Sequence, residues 1–268
     1  MSFLSKLCHF GKRPISISEL EKAFARKEFV FYYQPEWDLK TNRIIGVEAL
    51  MRWKSPKRGR VPPLKFIPLL EKSGLIHKFT HFLFDQTLKD LAELHTIDPN
   101  LFVAVNLSIC QLLEPTLIDT IKQSLIKHNI DAKYLECELS ESQELTEDIL
   151  SNNVLQQLSD LGIAVSIDDF GKEYSSFARL KQLNIQKLKI DLFFIQALSK
   201  DKKNQAIVSS MIQLGHDLGF PVLAEGIETT RQEHWLKNNG CDYGQGFWLS
   251  RALPMKRIKH FLKKRRKK

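Results

Sequence analysis

Residues 29–39 read FVFYYQPEWDL, residues 40–43 read KTNR, and residues 44–53 read IIGVEALMRW. Both flanking runs are rich in aromatic, aliphatic and β-branched side chains, which favour extended strands. Only Lys40, Thr41, Asn42 and Arg43 separate them. A parallel crossover needs about a dozen residues or more, so this connection requires an antiparallel hairpin. Working outward, further β-like runs follow: FVAVNLS (102–108), YLECELS (134–140), AVSIDDF (164–170), KLKID (187–191), PVLAEGIE (221–228) and YGQGFWLS (243–250). Helix-length segments at 86–94, 117–128, 149–161, 204–218 and 231–238 lie between most of them, and Gly162, Gly219 and Gly240 fall where helix C-caps are expected. Strands alternating with helices in this way predict an α/β chain closed into a modified (β/α)8, TIM-like barrel with an antiparallel first strand. The competing fold, an open doubly wound sheet, lacks its Gly-rich phosphate loop after the first strand.

The organisation read from the chain is a leader at 1–17, one barrel domain at 18–262 and a basic tail at 263–268. Ser18 is expected to cap the first helix, whose apolar face is Leu20, Ala23 and Phe24. No window approaches the roughly 18 apolar residues of a membrane span. The N-terminus lacks the long apolar core and cleavage site of a secretory signal, which points to a cytoplasmic protein. Cys8, Cys110, Cys137 and Cys241 are widely spaced with no C-x-x-C pair. Free buried thiols in a reducing compartment are expected, not disulfides or zinc ligands.

The net charge of +9 is a local feature. Nine Lys or Arg and no acid lie between Lys256 and Lys268, and the 31 other basic residues match 31 acidic ones. Such a segment can bind an anionic surface weakly, or can be a solvated helix end favoured by the helix dipole. It requires no nucleic-acid partner.

Strand parity locates the chemistry, because alternate side chains share a face. Glu48 shares a face with Gly46, Leu50 and Arg52, Asn106 with Ala104, Glu138 with Glu136, Asp168 with Ser166, and Lys189 with Lys187 and Asp191. Glu225 lies near the end of its strand. The opposite faces are apolar and suit packing against helices. Polar groups thus collect toward the C-terminal ends of the strands, where barrel enzymes carry their active sites. Glu48, Glu138, Asp168 and Glu225 would converge with Asn106, and Asp169 would join them only if the chain turns. Clustered carboxylates need positive charge to stay ionised. Oxygen ligands of this kind suit Mg²⁺ or Mn²⁺, and two such ions about 3.5–4 Å apart suit phosphodiester hydrolysis. Lys189 could orient the attacking water, and Arg52 could grip a phosphate oxygen.

The run EALMRW (48–53) resembles the signature of the EAL-domain family, as do YQP (33–35), VAVNLS (103–108), ECELSES (136–142), IDDFG (167–171), LKID (188–191), AEGIET (224–229) and GCDYGQG (240–246). The resemblance covers residues 29–262 and keeps family order. It implies hydrolysis of cyclic di-GMP to linear pGpG with two divalent ions, Mg²⁺ or Mn²⁺. It implies metal ligands at Glu48, Asn106, Glu138, Asp168, Asp169 and Glu225, and a catalytic set of Glu48, Lys189 and Glu225. It implies substrate contacts from Gln34, Leu50, Arg52, Asp191 and Gln245, support from Glu228, an anchor for the loop after IDDFG at Glu141, and a homodimer.

Three positions depart from the family pattern. Lys172 and Glu173 replace the usual Thr-Gly after IDDFG, Glu36 replaces an aliphatic residue, and Ala252 replaces the proline of R-P-L-P. Two function classes follow. One is an active phosphodiesterase; the other is a weak or silent EAL-like protein that binds the nucleotide or a protein partner. No GGDEF-type or sensor domain is recognisable, so regulation would come through partners, expression or dimerisation. His77 and His81, four residues apart, lack the Glu of a zinc-binding H-E-x-x-H and read as helix-face histidines. Phe82, Leu83 and Phe84 read as core. Serine-hydrolase elbows and Walker loops are missing from the sequence.

Overall fold

The short connection at 40–43 closes as a hairpin. Asn42 N donates to Asp38 O at 2.8 Å and Asp38 N donates to Arg43 O at 2.9 Å, with Asn42 in the left-handed region at φ 58°. This geometry comes from a computed structural model that describes residues 13–140, 153–172, 184–198 and 201–266. The chain divides into two compact units, Met1–Val30 with Met51–Ile76, and Phe31–Leu50 with His77–Lys268.

In the first unit, helix α1 (Ile17–Ala25) is capped by Ser16, whose hydroxyl accepts from Glu19 N at 3.2 Å. The expected cap, Ser18, lies inside the helix. Ser16 holds the extended backbone that a cap requires, at φ −95° and ψ 155°. Strand β3 (Gly59–Val61), too short and polar to be read from sequence, pairs with Trp53–Ser55. Phe29, Trp53 and Phe66 pack with ring centroids 5.4–6.0 Å apart. Helix α2 (Ile67–Lys72) follows.

The second unit is the barrel. Strands β1 (Phe29–Asp38) and β2 (Ile44–Ser55) pair with each other, and β2 leads into a parallel series. That series is β4 (Phe102–Leu107), β5 (Leu135–Ser140), β6 (Ala164–Phe170), β7 (Lys187–Ile190), β8 (Val222–Ala224) and β9 (Tyr243–Gln245). Strand β9 returns antiparallel to β1, with Glu36 opposite Gln245, and closes the ring. The antiparallel first strand is therefore borne out. A short β10 (Leu253–Pro254) pairs with Tyr32 and Tyr33 and was not foreseen.

The helices follow their apolar periodicity. Helix α3 (Ile76–His95) begins ten residues before the expected segment, because Phe79, Leu83 and Phe84 continue the stripe of Leu88, Leu91 and Leu94. Phe82 is only half-buried and stacks on Phe31. Helices α4 (Ile109–Leu112) and α5 (Leu117–His128) follow β4. Beyond them lie α6 (Val154–Asp160), α7 (Leu192–Ala197), α8 (Lys202–Asp217), α9 (Thr230–Asn238) and α10 (Met255–Arg266). Gly162, Gly219 and Gly240 follow three of these helices with φ of 82°, 82° and 79°. Residues 149–152 of the expected helix lie outside the described residues.

The last two predicted strands are shorter than read. Strand β8 stops at Ala224. After β9 the chain bends at Gly246, where a Cβ would sit 2.1 Å from Ile227 O, so only glycine permits the approach. Helix α10 carries much of the basic segment, buries Ile258 and Leu262, and donates from Arg266 Nη1 to Ile97 O. Cys137 and Cys241 are buried and free, and burial pushes both thiols up. Cys110 is exposed on α4, contrary to expectation, and Cys8 lies outside the described residues. Among the described residues no helix is long and apolar enough to cross a membrane.

Candidate active site

Polar side chains meet at the C-terminal ends of the barrel strands. Parallel register places Asn106 of β4 beside Glu138 of β5. Asn106 Nδ2 donates to Glu48 Oε1 at 2.7 Å and to Glu138 Oε2 at 3.3 Å. Gln245 Nε2, arriving on β9, donates to Glu48 Oε2 at 2.8 Å. Lys189 of β7 is fully buried, with its ammonium 2.7 Å from Glu138, 2.8 Å from Glu225 and 3.3 Å from Asp168. Seven of the predicted residues are therefore drawn into one network: Glu48, Asn106, Glu138, Asp168, Lys189, Glu225 and Gln245.

The eighth, Asp169, is brought in by a backbone device. Strict alternation would send it to the face opposite Asp168. The β6–β7 register shifts between Ile167 and Phe170, and Asp169 takes the left-handed conformation at φ 59°. This bulge re-aims the second aspartate, as bulges beside active sites commonly do. Gly171 at φ 93° completes the turn. One carboxylate oxygen each from Asp168, Asp169 and Glu225 then lies within 4.8 Å of the others.

The electrostatics are unbalanced. Burial raises the Glu138 and Glu225 carboxyls well above the usual range, and their acidic neighbours add to the effect against the pull of Lys189. Burial also raises Asp169 to about 7, helped by its hydrogen bond with Asp191 and the charge of Asp168. Burial would lower Lys189, but Asp168, Glu138, Glu225 and Glu48 outweigh it and hold the ammonium charged. One lysine cannot neutralise this many carboxylates. The carboxylates offer oxygen ligands, and a divalent cation is the partner that would let them ionise together. The residues present therefore fit a metal site.

The remaining predicted residues are placed as follows. Asp191 is buried, and its Oδ1 caps α7 by accepting from Phe193 N at 2.7 Å. Gln34 Nε2 donates to Ser250 O at 3.3 Å. Leu50 is half-buried on β2, and Glu228 is exposed just before the Thr229 cap of α9. Arg52 belongs to the first compact unit and donates to Met51 O at 2.9 Å. Glu141 and Glu173 lie outside the described residues. His77 pairs with Glu114 at 2.6 Å and does not share a metal cluster with His81.

Sequence reasoning named Lys172 only as a departure beside the acids, without its partners, and missed a second feature. Lys172 Nζ stands 3.8 Å from Asp169 and 3.9 Å from Asp191. A second buried charge cluster lies toward the strand starts, where Lys187 Nζ is 2.9 Å from Glu36 and 2.7 Å from Glu136. The signal for it was present. Lys187 and Glu136 share their faces with Lys189 and Glu138, and Glu36 breaks an aliphatic position.

Residues 17–252 match the EAL domain, and the chain belongs to that family. It is 37% identical over 243 residues to the bifunctional diguanylate cyclase/cyclic di-GMP phosphodiesterase MucR of Pseudomonas aeruginosa, covering 90% of this chain and 36% of that protein. It is 35% identical over 237 residues to the cyclic di-GMP phosphodiesterase PdeR of Escherichia coli, covering 88% and 36% respectively. The chain thus spans well under half the length of these relatives. Among solved structures, a MucR phosphodiesterase–c-di-GMP complex superposes with a TM-score of 0.84 at 37% identity, covering 90% of this chain and 98% of that one. The EAL enzyme Bd1971, bound to cAMP and cyclic di-GMP, gives a TM-score of 0.87 at 32% identity, covering 91% and 67%.

Proposed function

We propose that this protein hydrolyses cyclic di-GMP to linear pGpG in the cytoplasm, and so lowers a bacterial second messenger. The observation that carries the reading is the network of Glu48, Asn106, Glu138, Asp168, Lys189, Glu225 and Gln245, built around the buried Lys189 with Asp169 turned toward it. Glu48, Asn106, Glu138, Asp168, Asp169 and Glu225 would hold two divalent ions, Mg²⁺ or Mn²⁺. Bound there, the ions supply positive charge for the phosphate oxygens and a water acidified enough to attack. Lys189, fixed by three carboxylates, would orient an attacking water. The water oxygen bonds to phosphorus as one ester P–O bond breaks, and the displaced ribose oxygen takes up a proton.

Gln34, Leu50, Arg52, Asp191 and Gln245 are assigned to substrate placement, with Glu141 and Glu228 in support. The active protein is a homodimer, and its basic C-terminal helix contacts anionic surfaces weakly. The fold and the similarity to named phosphodiesterases support the reading. The test is turnover of cyclic di-GMP by purified protein with Mn²⁺ or Mg²⁺, followed as pGpG. Turnover that survives excess chelator contradicts the metal mechanism. A weak or silent binding protein is the second reading, favoured by Lys172 beside Asp169. It predicts nucleotide binding without product.

A further inference from the structure

We propose that Lys172 is a built-in competitor for metal on the Asp169 side of the cluster, setting how much divalent cation the protein needs. This rests on the reading of the cluster as a metal site. The left-handed turn at Asp169 carries the chain back on itself, and Lys172 N donates to Asp169 O at 3.3 Å. The same turn brings the Lys172 ammonium 3.8 Å from Asp169 Oδ1 and 3.9 Å from Asp191 Oδ2. Asp169 also offers an oxygen within 4.8 Å of ligand oxygens from Asp168 and Glu225. A cation bound through Asp169 therefore meets a second cation already paired with the same carboxylate.

Asp191 cannot carry the lysine away, because it is buried and fixed as the cap of α7. Repulsion scales with the product of the charges, so a divalent ion feels twice the penalty of a monovalent one. The Lys172 side chain is 56% exposed, so water and salt screen part of this penalty. Its flexible stem lets the ammonium swing outward when metal binds, which makes the competition reversible. Lys172 thus offsets the charge of the metal-free cluster and weakens metal binding.

The test uses the full chain and Mn²⁺ alone, titrated by calorimetry without nucleotide. The variants are Lys172→Met, Lys172→Arg, Asp169→Asn and the double variant Lys172→Met/Asp169→Asn, each checked for an unchanged melting transition. Lys172→Met is expected to tighten Mn²⁺ binding about tenfold at low salt, with the gain shrinking as salt screens the charge. Lys172→Arg keeps the wild-type affinity, and the Met substitution changes affinity less than about twofold when Asp169 is already Asn. A gain below about twofold at low salt, or an equal gain in the Asn background, overturns the proposal. If no variant binds Mn²⁺, the proposal and the metal reading fall together. If Lys172→Met tightens Mn²⁺ but no cyclic di-GMP is turned over, the proposal stands and the phosphodiesterase reading fails.

Discussion

Lys189 Nζ lies 2.7 Å from Glu138 Oε1, and neither side chain is exposed to solvent. Removing one member of a buried charged pair strands the other, which costs about 3–5 kcal/mol. Lys189→Met leaves Glu138, Glu225 and Asp168 without their shared cation. The metal-free variant should lose about that much stability in urea unfolding, and added Mn²⁺ should recover more of it than in wild type. A loss under about 1 kcal/mol would mean that protonated acids already carry the cluster without the lysine.

Glu48 accepts from both Asn106 and Gln245, so it joins opposite sides of the site. Its proposed role is ligation, not packing. Glu48→Ala should abolish pGpG formation while leaving the fold intact, as read by circular dichroism. An active Glu48→Ala protein would remove Glu48 from the metal set.

Much of this was legible in the sequence because parity and connection length obey hard geometry. Four residues at 40–43 cannot form a crossover, and Glu48, Asn106, Glu138 and Lys189 had to share the inner face once their strands were placed. Asp169 was harder. Its participation was expected, but the register shift and left-handed backbone that deliver it follow from neighbouring strands. Lys172 could be read as a departure, whereas its reach to Asp169 depends on that same turn. Ser16, not Ser18, caps α1 because both are good capping residues and only backbone geometry separates them.

The second charge cluster separates two substitutions that look alike. Lys187 serves Glu36 and Glu136 at 2.9 and 2.7 Å, all three buried. Lys187→Met strands two carboxylates and should cost about 3–5 kcal/mol. Glu36→Leu leaves Lys187 and Glu136 as a neutral pair. It also removes a carboxyl that burial already raises. It should fall within about 1.5 kcal/mol of wild type. Equal losses in denaturant unfolding would show that Lys187 relies on Glu36 alone.

Helices α3 and α5 are tied by Asp85, which accepts from Lys127 at 2.6 Å and His128 at 2.8 Å. Partial burial works against ionisation of Asp85, but the two hydrogen bonds outweigh it and lower its pKa. A lowered folded-state pKa gives stability that is present above the unfolded value of about 3.9 and is lost as pH falls through the folded value. The carboxylate is partly exposed, so the pair contributes only about 0.5–1 kcal/mol. Asp85→Asn should therefore lower the melting temperature slightly at neutral pH and converge with wild type as pH falls through the lowered folded-state value. Divergence toward low pH would reverse the assigned sign.

Lys263, Lys264, Arg265 and Arg266 form the last turn of α10, beyond the buried anchors Ile258 and Leu262. Deleting residues 263–268 removes six of the nine basic residues that follow Met255 but keeps both anchors. It also removes the hydrogen bond from Arg266 to Ile97 O. A single such bond is worth about 1 kcal/mol, so the truncated protein should fold. None of the deleted residues belongs to the proposed metal or substrate set, so turnover should stay within about twofold of wild type. Binding to vesicles containing anionic lipid should weaken, because each basic residue near such a surface contributes about 1 kcal/mol. The remaining binding should also depend less steeply on salt. A folded truncation that loses most of its turnover would place the end of α10 in support of the catalytic strands. Unchanged vesicle binding would leave the basic residues as a solvated helix end.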